Sequence, residues 1–179
     1  METALSGASM LGITVYFSPF GGATRAVVDA IGGARASILV QAYAFTSAPI
    51  VAALISAGRN GIAVQVILDH SNLAMKYSVL TCLARTGIPV FVDHAHPIAH
   101  NKVMIIDGSK VVTGSFNFTG AAETGNAENL LIIEDVALAS VYAGNWHAHA
   151  AHSLSAHAPP SYAPVIVSPP EPSSTVIVS

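Results

Sequence analysis

The sequence predicts an α/β protein, a three-layer α/β/α sandwich around a mixed, mostly parallel sheet. Three observations carry that prediction. Between residues 13 and 93, short β-branched runs alternate with stretches of helical character, the pattern of parallel strands joined by helical crossovers. The runs are apolar almost throughout, as strands covered on both faces must be. After residue 100 two further runs flank a tight-turn sequence, so an antiparallel hairpin joins the sheet.

The elements follow in order. "ITVYF" (13–17) reads as a strand, and "ATRAVVDAIGG" (23–33) as a helix closed by glycine. "SILVQAYAF" (37–45) is a long buried strand. Ser47 has the chemistry of a helix N-cap, and Pro49 suits a first turn, so a helix is expected to about Gly58. "IAVQVILD" (62–69) is a strand, and a helix is expected from about Asn72 to Arg85, stopping at Gly87. "IPVFVD" (88–93) is the fourth strand. "KVMIID" and "KVVTGSF" flank the turn "DGSK", "ENLLIIED" (128–135) adds a strand, and a last helix is expected from about Val136 to Ala150. Residues 1–12 are expected to be a flexible lead and 13–154 the folded domain. Residues 155–179 are rich in proline and serine and read as an extended or disordered tail; "PPSY" within it matches a WW-domain ligand pattern, with a plain linker favoured.

Composition bounds the function. Of 179 residues, 52% are hydrophobic and 9% charged, far below the usual quarter, which implies a well-filled interior. No apolar run approaches the ~20 residues that span a bilayer, so stable membrane insertion is not expected. The net charge of −3, histidines neutral, argues against a broadly basic face, although eight histidines can turn the balance at lower pH. Cys82 is the single cysteine, which excludes an intrachain disulfide; its apolar helical surroundings predict a buried thiol. "METALSGASMLG" lacks the basic and long apolar regions of an export signal. The chain is thus expected in the cytoplasm, or in the periplasm or outside the cell if a signal precedes it.

The chemistry concentrates in "HNKVMIIDGSKVVTGSFN" (100–117). Side chains two apart on a strand share a face, so His100 and Lys102 project together if the strand starts near residue 100. Ser115 and Asn117 do the same at the end of the returning strand, and the turn lets both pairs converge. The set comprises an imidazole, a fixed positive charge and two neutral donors. A phosphodiester asks for this set, because its equatorial oxygens gain charge in the transition state.

His100, Lys102 and Asp107, followed by Gly114, Ser115 and Asn117, form the pattern H-x-K-x4-D with G-S-x-N, which resembles the signature of the phospholipase D superfamily. "PIAHNKVMIIDG", "TGSFNFTGAAETGNAEN" and "QAYAFTSAPI" are similar to the small single-motif bacterial endonuclease of that superfamily, over residues 13 to 147. The resemblance implies a metal-independent reaction with no cofactor, in which one histidine attacks phosphorus, forming a phosphohistidine, and a second protonates the leaving oxygen. Only one H-x-K is present, so half a site per chain and a two-fold homodimer are expected. By the same resemblance Glu128 is the acid that holds the catalytic histidine. Glu123 is its competitor, expected in a solvated loop. Asp107 is expected to be structural, bonding backbone at the turn, and Gly114 to support it.

Other readings remain. "DHAHPIAH" brings His94, His96 and His100 close enough in sequence to suggest a zinc site, and His149 and His152 would share a helix face; in each case plain loop or helix-end histidines are preferred. The motif does not identify the alcohol beyond the phosphate, so a phospholipase or phosphatidyltransferase competes with a nuclease acting on DNA or RNA. A nucleic-acid-binding module without catalysis is the third reading.

Overall fold

The computed structural model describes residues 8–74 and 79–156. Its strands are β1 (Ala8–Met10), β2 (Ile13–Ser18), β3 (Ser37–Ala42), β4 (Ala63–Asp69), β5 (Val90–Asp93), β6 (Lys102–Ile106), β7 (Lys110–Gly114), β8 (Glu128–Glu134) and β9 (Leu154–Ser155). The helices are α1 (Ala23–Gly32), α2 (Ala48–Arg59), α3 (Leu80–Ala84), α4 (Gly120–Thr124) and α5 (Val136–His152).

Among the described residues the strands form one sheet in the order β1-β2-β8-β7-β6-β3-β4-β5-β9. The sheet is mixed, as expected, but its neighbours are not mostly parallel. Only β3–β4 and β4–β5 pair in parallel. The other pairs are antiparallel. The crossover pattern predicts that β2 and β3 run the same way, yet it does not say that they touch. Three strands from the C-terminal half, β8, β7 and β6, stand between them.

Alternation along the strands explains the two covered faces. Ile38, Val40, Val64, Val66, Met104, Ile106 and Val112 pack with Val27, Ile31, Ile50 and Leu54 of α1 and α2. The intervening positions Ile67, Val103, Ile105 and Val111 pack instead with Ala139 and Trp146 of α5. Trp146 fixes that helix, because its indole N–H donates to the Val40 carbonyl at 2.8 Å while its ring meets Phe91 edge-on at 6.3 Å. Burial of so large a side chain contributes roughly 2–3 kcal/mol.

Several local expectations are corrected. Ala8–Met10, within the lead expected to be flexible, pair with Val15–Ile13. The strand at 37–45 ends at Ala42, because the chain leaves the sheet to carry Phe45 into the core, where it bridges Phe118. Ser47 precedes α2, but its side chain makes no capping hydrogen bond; its backbone N–H donates to the Phe118 carbonyl instead. The helix expected over 72–85 is replaced at its start by a 3-10 turn at His70–Leu73 and survives at its end as the short α3; residues 75–78 between them lie outside the described residues. Cys82 is exposed rather than buried, since Leu83 is the residue α3 turns inward. The loop expected around Glu123 is helical, with the Thr119 hydroxyl accepting from the Ala122 amide. Ordered chain also runs past the expected boundary: β9 pairs with β5, and Ala156 N–H donates to the Val90 carbonyl. The rest of the Pro/Ser-rich tail, with its "PPSY", lies outside the described residues.

Candidate active site

The sheet builds the site at the start of β6 and the end of β7. Lys102 opens β6 and is paired in register with Ala42 of β3. His100 stands just before the strand rather than in it, exposed at the surface. The register Val103↔Thr113 brings the start of β6 beside the end of β7, so both halves of the motif open into one cavity of about 460 Å³. His100, Lys102, Gly114, Ser115, Asn117 and Glu128 all line it.

β7 stops at Gly114, earlier than expected, and a bulge follows: the Ser115 and Phe116 amides both donate to the Asn129 carbonyl, at 3.1 and 3.2 Å. Gly114 has φ +147°, and a Cβ there would collide with the Asn129 carbonyl oxygen, so only glycine fits. Phe116 and Phe118 then point into the core, both fully buried, and alternation sends Ser115 and Asn117 to the cavity. The Ser115 hydroxyl accepts from the Asn129 amide at 3.1 Å, which leaves its own O–H free to donate. Asn117 Oδ1 is buried without a hydrogen-bond partner among the described residues, so its amide is not committed to the fold.

Lys102 is 6% exposed. Burial pushes its pKa below the ordinary lysine value, and the Glu128 carboxylate partly restores it. Its Nζ donates to the His100 carbonyl at 2.6 Å and lies 5.1 Å from the centre of the Tyr43 ring. Tyr43 also flanks the His100 imidazole, with ring centres 4.6 Å apart. The two motif residues are thus held against one aromatic ring. Tyr43 and Tyr142, which lines the cavity from α5, were not anticipated. "QAYAF" reads as uninterrupted core strand, and only the three-dimensional register carries Tyr43 to His100. Among the described residues no hydrogen bond engages the His100 ring, so both nitrogens are available for chemistry.

The two candidate acids separate. Glu123 accepts from the backbone amides of Gly22 and Thr24, at 3.2 and 2.7 Å, and so caps the start of α1; it is not a solvated loop acid. Glu128 lines the cavity and accepts from the Asn126 side chain at 3.0 Å. Asp107 sits at the far end of β6, with φ +52°. It accepts from the amides of Arg35, Ala36 and Ser37. Burial alone would raise its pKa, but those three amides hold the carboxyl below its ordinary value. Its work is to join the turn to the α1–β3 connection.

The loop entering the site is anchored by an acid the sequence did not single out. Asp69, 1% exposed at the end of β4, accepts from Ala99 N–H at 2.7 Å and Ser71 N–H at 2.9 Å. Burial works against its ionisation, while Ser71, Ala99 and His70 together lower its pKa. Neither His94 nor His96 joins His100 in a common cluster. His94 stacks on His70 at 5.9 Å, and His96 turns toward Asp93.

The assembled cavity can accept a phosphate diester: one buried cation, a serine hydroxyl and an amide surround an imidazole with unengaged nitrogens. Comparison with known proteins agrees with that chemistry. Residues 27–149 match the family model described as "Cardiolipin synthase, PLD-like domain". A protein named phospholipase D from Rickettsia bellii is 48% identical over 134 residues, 75% of this chain and 67% of that one. The mitochondrial cardiolipin hydrolase of Xenopus laevis is 33% identical over 119 residues, 66% of this chain and 56% of its own. The crystal structure of Nuc, a phospholipase D family member from Salmonella typhimurium, superposes with a TM-score of 0.78 at 36% identity. That match covers 81% of this chain and 97% of Nuc.

Proposed function

The chain belongs to the phospholipase D-like family of phosphodiesterases, and from that premise we propose that it is an endonuclease that cuts nucleic acid without a catalytic metal. The observation that carries the reading is the single cavity holding His100, Lys102, Ser115, Asn117 and Glu128. One copy of the motif supplies one imidazole, whereas phosphoryl transfer through nitrogen needs an attacking base and a separate acid. We therefore propose a homodimer with the cavities facing each other across the two-fold axis.

In that arrangement a neutral His100 attacks phosphorus, and the P–O bond to the leaving nucleoside breaks. The partner subunit's His100, protonated, donates its proton to the departing oxygen. Water, deprotonated by that now neutral ring, attacks the phosphohistidine and releases the phosphate end while His100 recovers its electron pair. Lys102, Ser115 and Asn117 stabilise the equatorial oxygens as charge builds on them. Glu128 lines the same cavity, bonded to Asn126 rather than to the His100 ring; in the working dimer it turns to hold an imidazole in its working orientation. By resemblance the ends are 5′-phosphate and 3′-hydroxyl. The exposed position of His100 suits a polymer threaded past the surface.

The names of the relatives favour a second reading, in which the same half-sites cut a phospholipid headgroup. Labelled single-stranded DNA, duplex DNA, RNA and phosphatidylcholine or cardiolipin vesicles, each in excess EDTA, separate the two. Nucleic-acid cleavage that His100→Ala abolishes supports the proposal; lipid turnover with intact oligonucleotide overturns it. Retained binding with no cleavage of any diester would point to the silent binding module instead.

A further inference from the structure

Away from the catalytic cavity, β5 and α5 bring together four side chains that the phosphodiester chemistry does not use. Asp93 closes β5 and is fully buried. Its Oδ2 lies 2.9 Å from His149 Nδ1, 3.0 Å from His96 Nδ1 and 3.3 Å from His152 Nε2. The three rings pack on one another, with centres 4.9 to 5.2 Å apart.

A carboxylate oxygen has two lone pairs, too few for three N–H donors. Three protonated rings would crowd three positive charges onto one carboxylate. The other oxygen, Oδ1, is already taken by the Ala95 amide at 2.9 Å and by that of His96. The carboxylate is therefore oriented by backbone and presents Oδ2 to the imidazoles, as supported metal ligands are. One donor atom from each of the four residues lies within 4.8 Å of all the others. A tetrahedral zinc ion with bonds of ~2.0–2.1 Å needs ligand separations of roughly 3.3–3.4 Å. The Asp93–His152 separation of 3.3 Å already lies in that range, those to His149 and His96, at 2.9 and 3.0 Å, need open only by roughly 0.3–0.5 Å, and the histidines need to draw closer to one another.

We propose that Asp93, His96, His149 and His152 form a structural site for a divalent transition ion of the zinc type. Three neutral imidazoles and one carboxylate are the nitrogen and oxygen donors such an ion takes. None of the four lines the catalytic cavity, so the ion acts on the frame. It clamps the C-terminal end of α5 to the edge of the sheet and fixes the start of the loop that leads to His100. The site also accounts for histidines at i and i+3 on α5, a helix whose last turn otherwise has no use for them.

The test uses the full chain, stripped with chelator and dialysed. Zinc is titrated by calorimetry and cobalt(II) by its visible ligand-field bands. One ion per chain, the absorption of four-coordinate cobalt and a higher melting temperature with zinc are expected. The double variant His149→Ala/His152→Ala should weaken binding at least ~100-fold. His96→Ala, in a different element, should weaken it too. His147→Ala, exposed on the same helix, should bind like the parent. Absence of saturable binding to the parent chain overturns the proposal. So does equal binding by the double variant, or an equal loss in His147→Ala. Cleavage in EDTA by the stripped protein is read separately, so failure of the ion site leaves the nuclease reading standing.

Discussion

Lys102 illustrates how function and stability diverge at a single residue. A cation with 6% exposure opposes folding through lost hydration, yet among the described residues it is the one fixed positive charge lining the cavity. Lys102→Met should leave stability unchanged or raise it by up to about 1–2 kcal/mol while cutting turnover about 10²–10³-fold; denaturant unfolding beside kinetics measures both. Glu123 and Glu128 offer the opposite comparison. Glu123→Ala removes the acceptor for the Gly22 and Thr24 amides and should cost about 1–2 kcal/mol with the remaining folded enzyme active. Glu128→Ala should lower activity with a smaller loss of stability. If the two effects change places in melting and rate measurements, the assignment of the acids is reversed.

Among the elements, the end of β7 matters most to the site. The bulge on the Asn129 carbonyl switches the chain from strand register to the alternation that buries Phe116 and Phe118 and frees Ser115 and Asn117. Gly114→Ala puts a methyl into that carbonyl at a positive φ. It should cost about 2–4 kcal/mol, seen as a lower denaturant midpoint, and lower activity by displacing Ser115. This element was half legible: G-S-x-N marks a special turn, but the sequence cannot say that strand pairing stops at the glycine. The helix expected over 72–85 was less so. Asn72 is drawn away from helix by donating from its side chain to the Asp69 carbonyl, three residues back, and to the Tyr43 carbonyl, 29 back; the second contact leaves no local trace in the sequence.

At the scale of the whole molecule, the proposed half-site predicts behaviour no monomer shows. When parent and His100→Ala chains are unfolded together and refolded in varied ratios, activity per total chain should fall as the square of the parent fraction. A linear fall would mean that each chain works alone. The acid limb of stability follows from Asp69 and Asp107, whose carboxyls are held below the ordinary value near 3.8. A group depressed in the folded state contributes fully above its unfolded pKa, and the contribution is lost as pH falls through the folded one. Melting temperature should therefore hold down to about pH 4 and drop below it; Asp107→Asn should flatten that drop.

The order and nature of most elements, and the convergence of His100, Lys102, Ser115 and Asn117, were determined by the sequence itself. Periodicity and turn chemistry are local, and the alternation of extended backbone carries past the last paired residue, so His100 with Lys102 and Ser115 with Asn117 reach one cavity although each pair overruns its strand. Strand neighbours, the Tyr43 ring between Lys102 and His100, Glu123 capping α1 and the meeting of Asp93 with His149 and His152 were decided only by the tertiary structure. The side-chain contacts among these join residues 56 to 101 positions apart, and the apolar burial that closes such distances is non-directional: it favours a filled core without recording in the sequence which distant side chains will meet.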